Sequence, residues 1–485
     1  MPITTRPPDA HDLAARVRSG GCSARELVCE AIARIEAHDD LLNAVIHRRF
    51  DAALDEVAQV DPEAQPFAGV PILLKDSGCT IAGEPHHRGL SVLRDANHRA
   101  AATAWLVDRL RAAGFVILGR TNVPELTSLP TTEPAAYGPS RNPWSLEHST
   151  GGSSGGSGAA VAGGLVPIAH ASDGGGSTRM PASCCGLVGL KPSRGRLTRG
   201  PREGLGWGGL SIDGFLSRSV RDSAAVLEHT MGPGPGDPET APGLPIGLID
   251  ALSADPASLR VGLRTEGFVD ADPTHPEIVR AVDRCAQTLA EMGHRVEPGG
   301  PSELDDESIP AAQGVVIATA QALVIEQLEA AIGREIGLDE LEPVNAQSVL
   351  AGRAQSALEH ARAIDRLHAY SRRVSTWWED HDLLLMPTIT GVPPRLGTIR
   401  GDASPEELLG MRRRYGWLTP PWNITGQPAI SLPIGWSEGG LPLGVQLVAA
   451  LGREDLLLSV AARLEEAFDW PERRPPHGAL ATTES

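Results

Sequence analysis

Two short segments of the sequence combine serine residues with runs of glycine. They cover residues 151–158 and 174–177, and an apolar stretch of the length that crosses a domain core joins them. Glycine lacks a Cβ atom, so the backbone N–H groups of such a loop can closely approach a ligand. Acyl-transfer enzymes use N–H groups of this kind to stabilise the developing oxyanion. We therefore expect the two loops to meet at one site that performs acyl transfer.

Other interpretations of a glycine-rich loop fit the sequence less well. Composition alone favours a flexible linker, but apolar residues flank both loops, whereas a linker joins polar, exposed neighbours. A phosphate-binding loop ends in Gly-Lys-Ser/Thr, and that ending does not follow either loop. The triplet Gly151-x-Ser153-x-Gly155 matches a nucleophile elbow, but that motif needs a preceding apolar strand and residues 144–150 are polar.

Lys75 is the candidate base that could activate a serine. It follows the apolar run 67–74, and burial of a lysine disfavours its charged form and lowers its pKa. The neutral amine would then be able to accept a proton. The alternative, which this run alone favours, is a lysine whose side chain extends from the end of a strand into solvent.

Six motifs, taken together and in order, resemble those of the amidase signature family. They are 69–76 (GVPILLKD), 119–122 (GRTN), 151–157 (GGSSGGS), 173–179 (DGGGSTR), 423–433 (NITGQPAISLP) and 439–447 (GGLPLGVQL). The resemblance covers most of the chain. It implies an α/β protein with the amidase signature fold, in which helices cover both faces of a large mixed β-sheet. Alternating helix and strand patterns around residues 100–119 agree with such layers.

The family uses a relay of a lysine, a serine after a cis peptide bond and a nucleophilic serine. The resemblance assigns these roles to Lys75, Ser153 and Ser177, with a cis bond between Gly152 and Ser153. Neutral Lys75 would take a proton from Ser153 while Ser153 takes one from Ser177, and the reverse path would protonate the leaving amine. Serine–lysine pairs are a known variant of serine hydrolase chemistry.

The resemblance also assigns the surroundings of this relay. It implies an oxyanion hole formed by Gly174, Gly175 and Gly176, and substrate contacts from Thr127, Ser128 and Thr150. Asp173 and Arg179 would support the nucleophile loop, although an ordinary ion pair is the alternative. Glu125 and Glu133 could form an acid/base pair, but their spacing does not support it and turn or N-cap roles are expected.

The implied activity is hydrolysis of small neutral amides through an acyl-enzyme on Ser177. Segments 130–133, 169–177 and 181–186 resemble the branch that contains 6-aminohexanoate cyclic dimer hydrolase, so nylon-type oligomers, anilides and carbamates (urethanes) are candidate substrates. Thr178 departs from many relatives, which have isoleucine there. Two alternatives stay open: the A subunit of a tRNA-dependent amidotransferase, which hydrolyses glutamine with a partner protein, and an inactive amidase-fold scaffold.

We expect one amidase domain over residues 1–485. Within it, 1–60 would be helical, 61–230 would form the core with the catalytic motifs, 240–400 would be a variable substrate-pocket region, and 401–470 would return to the core. Aromatic side chains in and after the variable region are candidates for an apolar pocket: Trp377, Trp378, Tyr415, Trp417 and Trp422.

Composition restricts the partners and the location of the protein. A net charge of −18 and the lack of a basic run argue against nucleic acid as a partner. The six cysteines lack the spacing of a metal site, so reduced thiols in the cytoplasm are expected. No apolar run reaches the length that we expect of a membrane span. No metal or cofactor is implied, and a homodimer formed through the N-terminal helices is one expectation.

Overall fold

The computed structural model describes residues 6–268, 271–415 and 417–480. The strands in these residues are β1 (Val45–Arg48), β2 (Pro71–Lys75), β3 (Val116–Thr121), β4 (Arg141–Asn142), β5 (Ser145–Ser149), β6 (Ile168–Asp173), β7 (Val188–Lys191), β8 (Ile212–Ser217), β9 (Arg260–Leu263), β10 (Arg295–Pro298), β11 (Leu383–Pro387), β12 (Ala429–Trp436) and β13 (Pro442–Ala449).

The α-helices follow the same chain order. They are α1 (Ala10–Arg18), α2 (Ala24–Leu42), α3 (Phe50–Glu56), α4 (Ser91–Asp95), α5 (Trp105–Ala112), α6 (Gly155–Ala162), α7 (Arg179–Cys185), α8 (Val220–Thr230), α9 (Leu248–Ala251), α10 (Pro276–Glu291), α11 (Ile309–Ile332), α12 (Pro343–Ala354), α13 (Ala357–Ser375), α14 (Pro405–Tyr415), α15 (Pro421–Ile424) and α16 (Glu454–Phe468).

Eleven of the strands in the described residues form one mixed sheet in the order β1-β3-β2-β6-β8-β7-β12-β13-β11-β9-β10. The pairs β2–β3, β2–β6, β9–β10 and β9–β11 are parallel, and the other pairs in the sheet are antiparallel. The remaining strands, β4 and β5, form a hairpin of their own. The predicted large mixed sheet is confirmed.

Both faces of the sheet are packed, as successive residues of β11 demonstrate. Leu383 and Leu385 belong to the main hydrophobic core, whereas Leu384 and Met386 belong to a second core that also holds Trp422. Successive side chains of a strand point to opposite faces, so at β11 the two cores lie on opposite faces of the sheet. This agrees with the predicted helical layers on both sides.

The N-terminal region differs from the prediction in one element. The predicted capping box at Ser23 is present at the start of α2, where the Ser23 hydroxyl and the Glu26 carboxylate bond reciprocally to backbone N–H groups. Residues 45–48, however, are not helical. They form edge strand β1, which pairs antiparallel with β3 and so joins the N-terminal helices to the central sheet.

Helix α11 corrects the expectation about long apolar runs. It has 24 residues, and its mean hydropathy reaches 1.6 over an 18-residue window, so by length and composition it could cross a membrane. In the structure α11 packs against α12 and α13, and its side chains Gln313 and Gln321 are buried. These contacts are made within the chain, with two neighbouring helices.

Candidate active site

Lys75 is the last residue of β2, and Ser172 and Asp173 end the neighbouring strand β6. The two strands are parallel, so their carboxyl ends lie at the same edge of the sheet. There the Nζ atom of Lys75 lies 2.8 Å from Oγ of Ser153, 3.0 Å from Oγ of Ser172 and 3.1 Å from the Ser172 carbonyl oxygen. The sheet topology thus brings Lys75 to the serine loop.

The three contacts of Lys75 can be made in either protonation state. A lysine ammonium has three N–H donors and can donate to all three oxygens. A neutral amine has two donors and one lone pair, so it would donate to the Ser172 carbonyl and the Ser172 hydroxyl and accept the hydroxyl proton of Ser153. The second arrangement is the one that a base requires.

Burial lowers the pKa of Lys75 to about 7, because the side chain is removed from water. The nearby charges of Asp173 and Asp213 oppose this shift, and Arg199 adds to it. Near neutral pH a large fraction of Lys75 is therefore uncharged. The predicted extension of this side chain into solvent, which the apolar run alone favoured, is not what the structure contains.

The first serine loop is packed tightly against its surroundings. The peptide bond between Gly152 and Ser153 is cis, as predicted. A Cβ atom on Gly152 would collide with the backbone of Thr131, and one on Gly156 would collide with the backbone of Asn122. These glycines are required because the loop and the start of α6 lie directly against neighbouring backbone, so the linker interpretation is wrong.

The second loop places Ser177 beside the first. The backbone N–H of Ser154 donates to the carbonyl oxygen of Ser177 over 3.2 Å, and Ser153 and Ser177 line the same cavity. Ser153 and Lys75 are buried, whereas Ser177 is partly exposed. Of the three, Ser177 is thus the one that a substrate can reach.

Asp173 and Arg179 hold the second loop in place. The Arg179 guanidinium donates to both carboxylate oxygens of Asp173, over 2.9 and 2.8 Å, and both side chains are buried. Burial alone would raise the pKa of Asp173, but the charge and hydrogen bonds of Arg179 hold it below its usual value. Asp173 therefore stays ionised and also accepts the backbone N–H of Gly176, over 2.6 Å.

The hydrogen bond from Gly176 to Asp173 removes one glycine from the expected oxyanion hole. The N–H of Gly176 already donates to Asp173, so it is not free to bind a substrate oxygen. Gly174 and Gly175, in contrast, line the cavity next to Ser177. Their N–H groups remain the candidates among the three predicted glycines.

Arg179 also connects the Ser177 loop to the motifs that contain Asn423 and Gln446. Its guanidinium donates to Oε1 of Gln446 on β13 and to Oδ1 of Asn423, over 2.7 Å in each case. Asn423 in turn donates to the carboxylate and the carbonyl oxygen of Asp173. The C-terminal motifs thus hold the Ser177 loop through one buried network.

A cavity of about 480 Å³ opens beside Ser177. Two of the three predicted substrate-binding residues, Thr127 and Ser128, line it. Thr150 does not: it is buried, and its hydroxyl donates to the Gly151 carbonyl oxygen over 3.2 Å. The prediction for Thr150 is wrong because the residue lies beneath the loop rather than at its surface.

Much of the wall of this cavity is apolar. Of the five aromatic candidates, Tyr415 and Trp417 line it, whereas Trp377, Trp378 and Trp422 pack in the second core. Further lining side chains include Met180, Trp207, Ile317, Val344, Leu408 and Met411. The variable region and the segment that follows it therefore supply much of this wall, in line with the expected pocket role.

A smaller cavity of about 230 Å³ shares Ser177 and Thr127 with the larger one. Ser153 lines this smaller cavity, together with the charged side chains of Arg88, Arg199, Arg202 and Glu203. Ser177 thus lies where an apolar space and a charged space meet.

Several residues at the site were missed by the sequence analysis. His170 Nδ1 accepts the backbone N–H of Lys75 over 3.3 Å, so its Nε2 carries the proton and donates to Asp213 over 3.1 Å. Sequence spacing gives no sign of these contacts. The cavity-lining glutamines of α11 could have been found from the sequence. Gln313 and Gln321 interrupt an apolar segment and are eight residues apart, so they share one helical face.

The two predicted glutamates are structural. The carboxylate of Glu125 accepts the backbone N–H of Glu342 at the start of α12, over 2.8 Å. Glu133 accepts the backbone N–H of Gly397 over 2.7 Å. Within the described ranges, no group of three or more His, Cys, Asp or Glu side chains is arranged to hold a metal ion.

A family model described as Amidase matches residues 26–458. The chain therefore belongs to the amidase family and is an amidohydrolase, as the predicted resemblance implied.

Comparison with individual proteins identifies members of this family that are similar to the chain. The chain is 43% identical over 477 residues to the 6-aminohexanoate-cyclic-dimer hydrolase of Paenarthrobacter ureafaciens, with 96% of each chain covered. The solved structure of a 6-aminohexanoate cyclic dimer hydrolase complexed with substrate has a TM-score of 0.92 at 41% identity, and the match covers 96% of this chain and 98% of that one. A bacterial aryl acylamidase of the amidase signature family has a TM-score of 0.87 at 27% identity, with 97% and 99% covered.

Proposed function

We propose that the protein hydrolyses the C–N bond of small neutral amides through an acyl-enzyme on Ser177. The observation that carries the proposal is the 2.8 Å contact between the buried Lys75 Nζ and the hydroxyl of Ser153, next to the partly exposed Ser177. A base of lowered pKa, a bridging hydroxyl and an accessible nucleophile are the parts that serine–lysine hydrolysis needs.

The reaction would proceed in two steps. Neutral Lys75 accepts the proton of Ser153 while Ser153 accepts that of Ser177, and Ser177 Oγ attacks the carbonyl carbon. The resulting oxyanion is stabilised by the N–H groups of Gly174 and Gly175. As the C–N bond breaks, the relay returns its proton to the leaving amine. Water activated by the same relay then hydrolyses the ester and frees Ser177.

The apolar cavity favours substrates with an uncharged hydrocarbon portion. Nylon-type oligomers are one candidate class, since the relatives at 43% and 41% identity are 6-aminohexanoate cyclic dimer hydrolases. Anilides are a second class, in line with the aryl acylamidase relative. Carbamates (urethanes) are a third, because attack on their carbonyl carbon uses the same groups.

The two alternatives have less support. An amidotransferase A subunit would depend on a partner protein and on glutamine, whereas the relatives at 43% and 41% identity carry the name of an amide hydrolase. An inactive scaffold would have no need for a buried lysine beside two serines. We further propose a cytoplasmic enzyme without nucleic acid or membrane partners, and the homodimer stays a prediction.

The test is covalent labelling combined with a hydrolysis screen. A fluorophosphonate should label the wild-type protein on Ser177, and Ser177→Ala should abolish both labelling and amide turnover. Ser128→Ala is the control, because Ser128 lines the cavity but lies outside the relay, and it should still be labelled. The screen would cover aliphatic amides, anilides, lactam oligomers and urethanes, with products identified by mass. A label on another serine, or no product from any class, would contradict the proposal.

A further inference from the structure

Asn345, on helix α12, is a buried polar residue in the wall of the larger cavity. Within the described residues its Oδ1 atom has no hydrogen-bond partner. Leaving a buried acceptor unpaired costs free energy, so native proteins seldom do so without a reason. In a substrate cavity, the reason is commonly a donor that the ligand brings.

The orientation of the Asn345 amide is fixed by Glu125. Its Nδ2 atom donates to the Glu125 backbone carbonyl over 3.2 Å and to Glu125 Oε1 over 3.0 Å. A backbone carbonyl can only accept, so the nitrogen must face Glu125. The oxygen is therefore the end of the amide that lacks a partner, on a residue that lines the cavity.

Glu125 is itself held rigidly. Its Oε1 accepts the backbone N–H of Glu342, and its carbonyl oxygen accepts the hydroxyl of Ser128 over 3.0 Å. The side chain of Asn345 is thereby fixed before any substrate arrives. Such preorganisation reduces the entropy lost on binding.

A second polar pair lies one helical turn further along α12. Ser348 follows Asn345 at spacing i, i+3, so both lie on one face of the helix. Its hydroxyl bonds to the side chain of Gln321 on α11, and both residues line the same cavity. The Asn345 oxygen can accept an N–H, and the Ser348–Gln321 pair carries polar hydrogens that a carbonyl oxygen can accept. In a largely apolar wall, these groups match the N–H and C=O of a secondary amide.

Asn345 and Ser348 line the larger cavity and not the smaller one, whereas Gln321 lines both. The amine must receive its proton through Ser153, which lines the smaller cavity, whereas Asn345 lines the larger one. Ser177 lines both. The acyl part of the substrate therefore belongs in the larger cavity, together with Asn345.

We infer that Asn345 is a specificity-determining residue whose Oδ1 accepts the N–H of a second secondary amide, in the acyl part of the substrate. The inference rests on the proposed function, since it takes Ser177 and Ser153 as the reacting groups. It makes the protein a hydrolase that prefers substrates with two amide groups over otherwise equal substrates with one.

The test uses two probes that differ only at the second amide. One is the p-nitroanilide of N-acetyl-6-aminohexanoic acid, and the other is the ketone in which CH₂ replaces the remote N–H. Wild-type kcat/KM should favour the diamide about tenfold, because the ketone leaves the buried acceptor unpaired. Asn345→Leu should remove this preference, chiefly by lowering kcat/KM for the diamide.

Glu125→Gln is the matched control variant. It keeps an oxygen that can accept from Glu342 and Asn345, so the preference should survive. Circular dichroism and thermal unfolding would check that both variants fold. A merely structural role for Asn345 predicts equal losses on both probes, and that result, or a wild type without preference, would overturn the inference.

A binding measurement separates this inference from the proposed function. With Ser177→Ala protein, calorimetry should give about tenfold tighter binding of the diamide than of the ketone. If the wild type hydrolysed neither probe, the proposed function would fail for these amides, and the binding ratio would still decide the role of Asn345. Equal binding of the two probes would reject that role.

Discussion

Lys75 ends strand β2 and Ser153 lies in a loop 78 residues later in the chain, yet Nζ of the lysine lies 2.8 Å from the hydroxyl oxygen of the serine. The contact depends on parallel strands β2 and β6, whose carboxyl ends meet at one edge of the sheet. Both side chains are buried, so solvent does not compete for their hydrogen bond.

Lys75→Met should reduce kcat by roughly a hundredfold to ten-thousandfold, which is the contribution of a positioned base. Methionine has a similar length and suits a buried site, so folding should be retained. Lys191→Met is the control, since Lys191 is also a buried lysine but its Nζ donates to the Pro192 carbonyl oxygen, outside the relay. Initial rates on an active anilide would measure both. Equal losses in the two variants would argue against a base role for Lys75.

The activity should fall as the pH is lowered through about 7. The base must be uncharged, and burial lowers the pKa of Lys75 to about 7, so protonation below that pH removes the active form. A profile of kcat/KM against pH between 5 and 9 would reveal this limb. An unchanged rate down to pH 5 would contradict a lysine base.

Asp213→Asn should shift the fall in kcat/KM to a lower pH. The negative charge of Asp213 raises the pKa of Lys75, so its removal lowers that pKa further and keeps the amine neutral in more acidic solution. Asparagine keeps an oxygen that can accept from His170 Nε2. The same pH profile measures the shift. A limb that moved to higher pH would show that another group controls the rate.

Gly176→Ala should abolish activity, whereas Gly175→Ala should leave a folded protein. Gly176 has a φ of +127°, and a Cβ atom there would collide with the side chain of Thr419. At Gly175 the nearest neighbour of a new Cβ atom, in Pro420, would be 3.9 Å away, and the N–H is kept. Turnover and fluorophosphonate labelling would compare the two. If both variants were equally active, the loop would be less constrained than its contacts indicate.

Arg179→Met should lower the free energy of unfolding by about 3–5 kcal/mol, because it leaves the buried Asp173 carboxylate without its cation. The control is Arg260→Met, which breaks the more exposed pair with Asp382 and should lower the free energy of unfolding much less, because solvent screens that pair. Urea denaturation followed by fluorescence would measure both. Similar losses would mean that the Asp173–Arg179 network does not hold the loop.

The sequence predicted the residues that meet at the edge of the sheet better than those that form the cavity wall. Lys75, Ser153 and Ser177 stand in ordered motifs, and the structure brings their segments together. Thr150 was misjudged because its place in a motif does not reveal that it lies beneath the loop. The same holds for Gly176, since only coordinates reveal that Asp173 uses its N–H.

Residues that act across long distances in the chain could not be found from spacing. Asn345 matters because its amide reaches Glu125, more than two hundred residues earlier. A contact between residues so far apart in the chain leaves no pattern in the sequence around either of them. The apolar length of helix α11 was missed for a different reason: glutamate and glutamine residues interrupt its apolar sequence.

The buried network around Arg179 has a consequence for synthesis of the protein. Asn423 and Gln446 follow Arg179 by 244 and 267 residues, so during synthesis this guanidinium lacks both partners until those distant segments have emerged. A chain that stopped before residue 423 would therefore lack two of the side chains that hold the Ser177 loop in place.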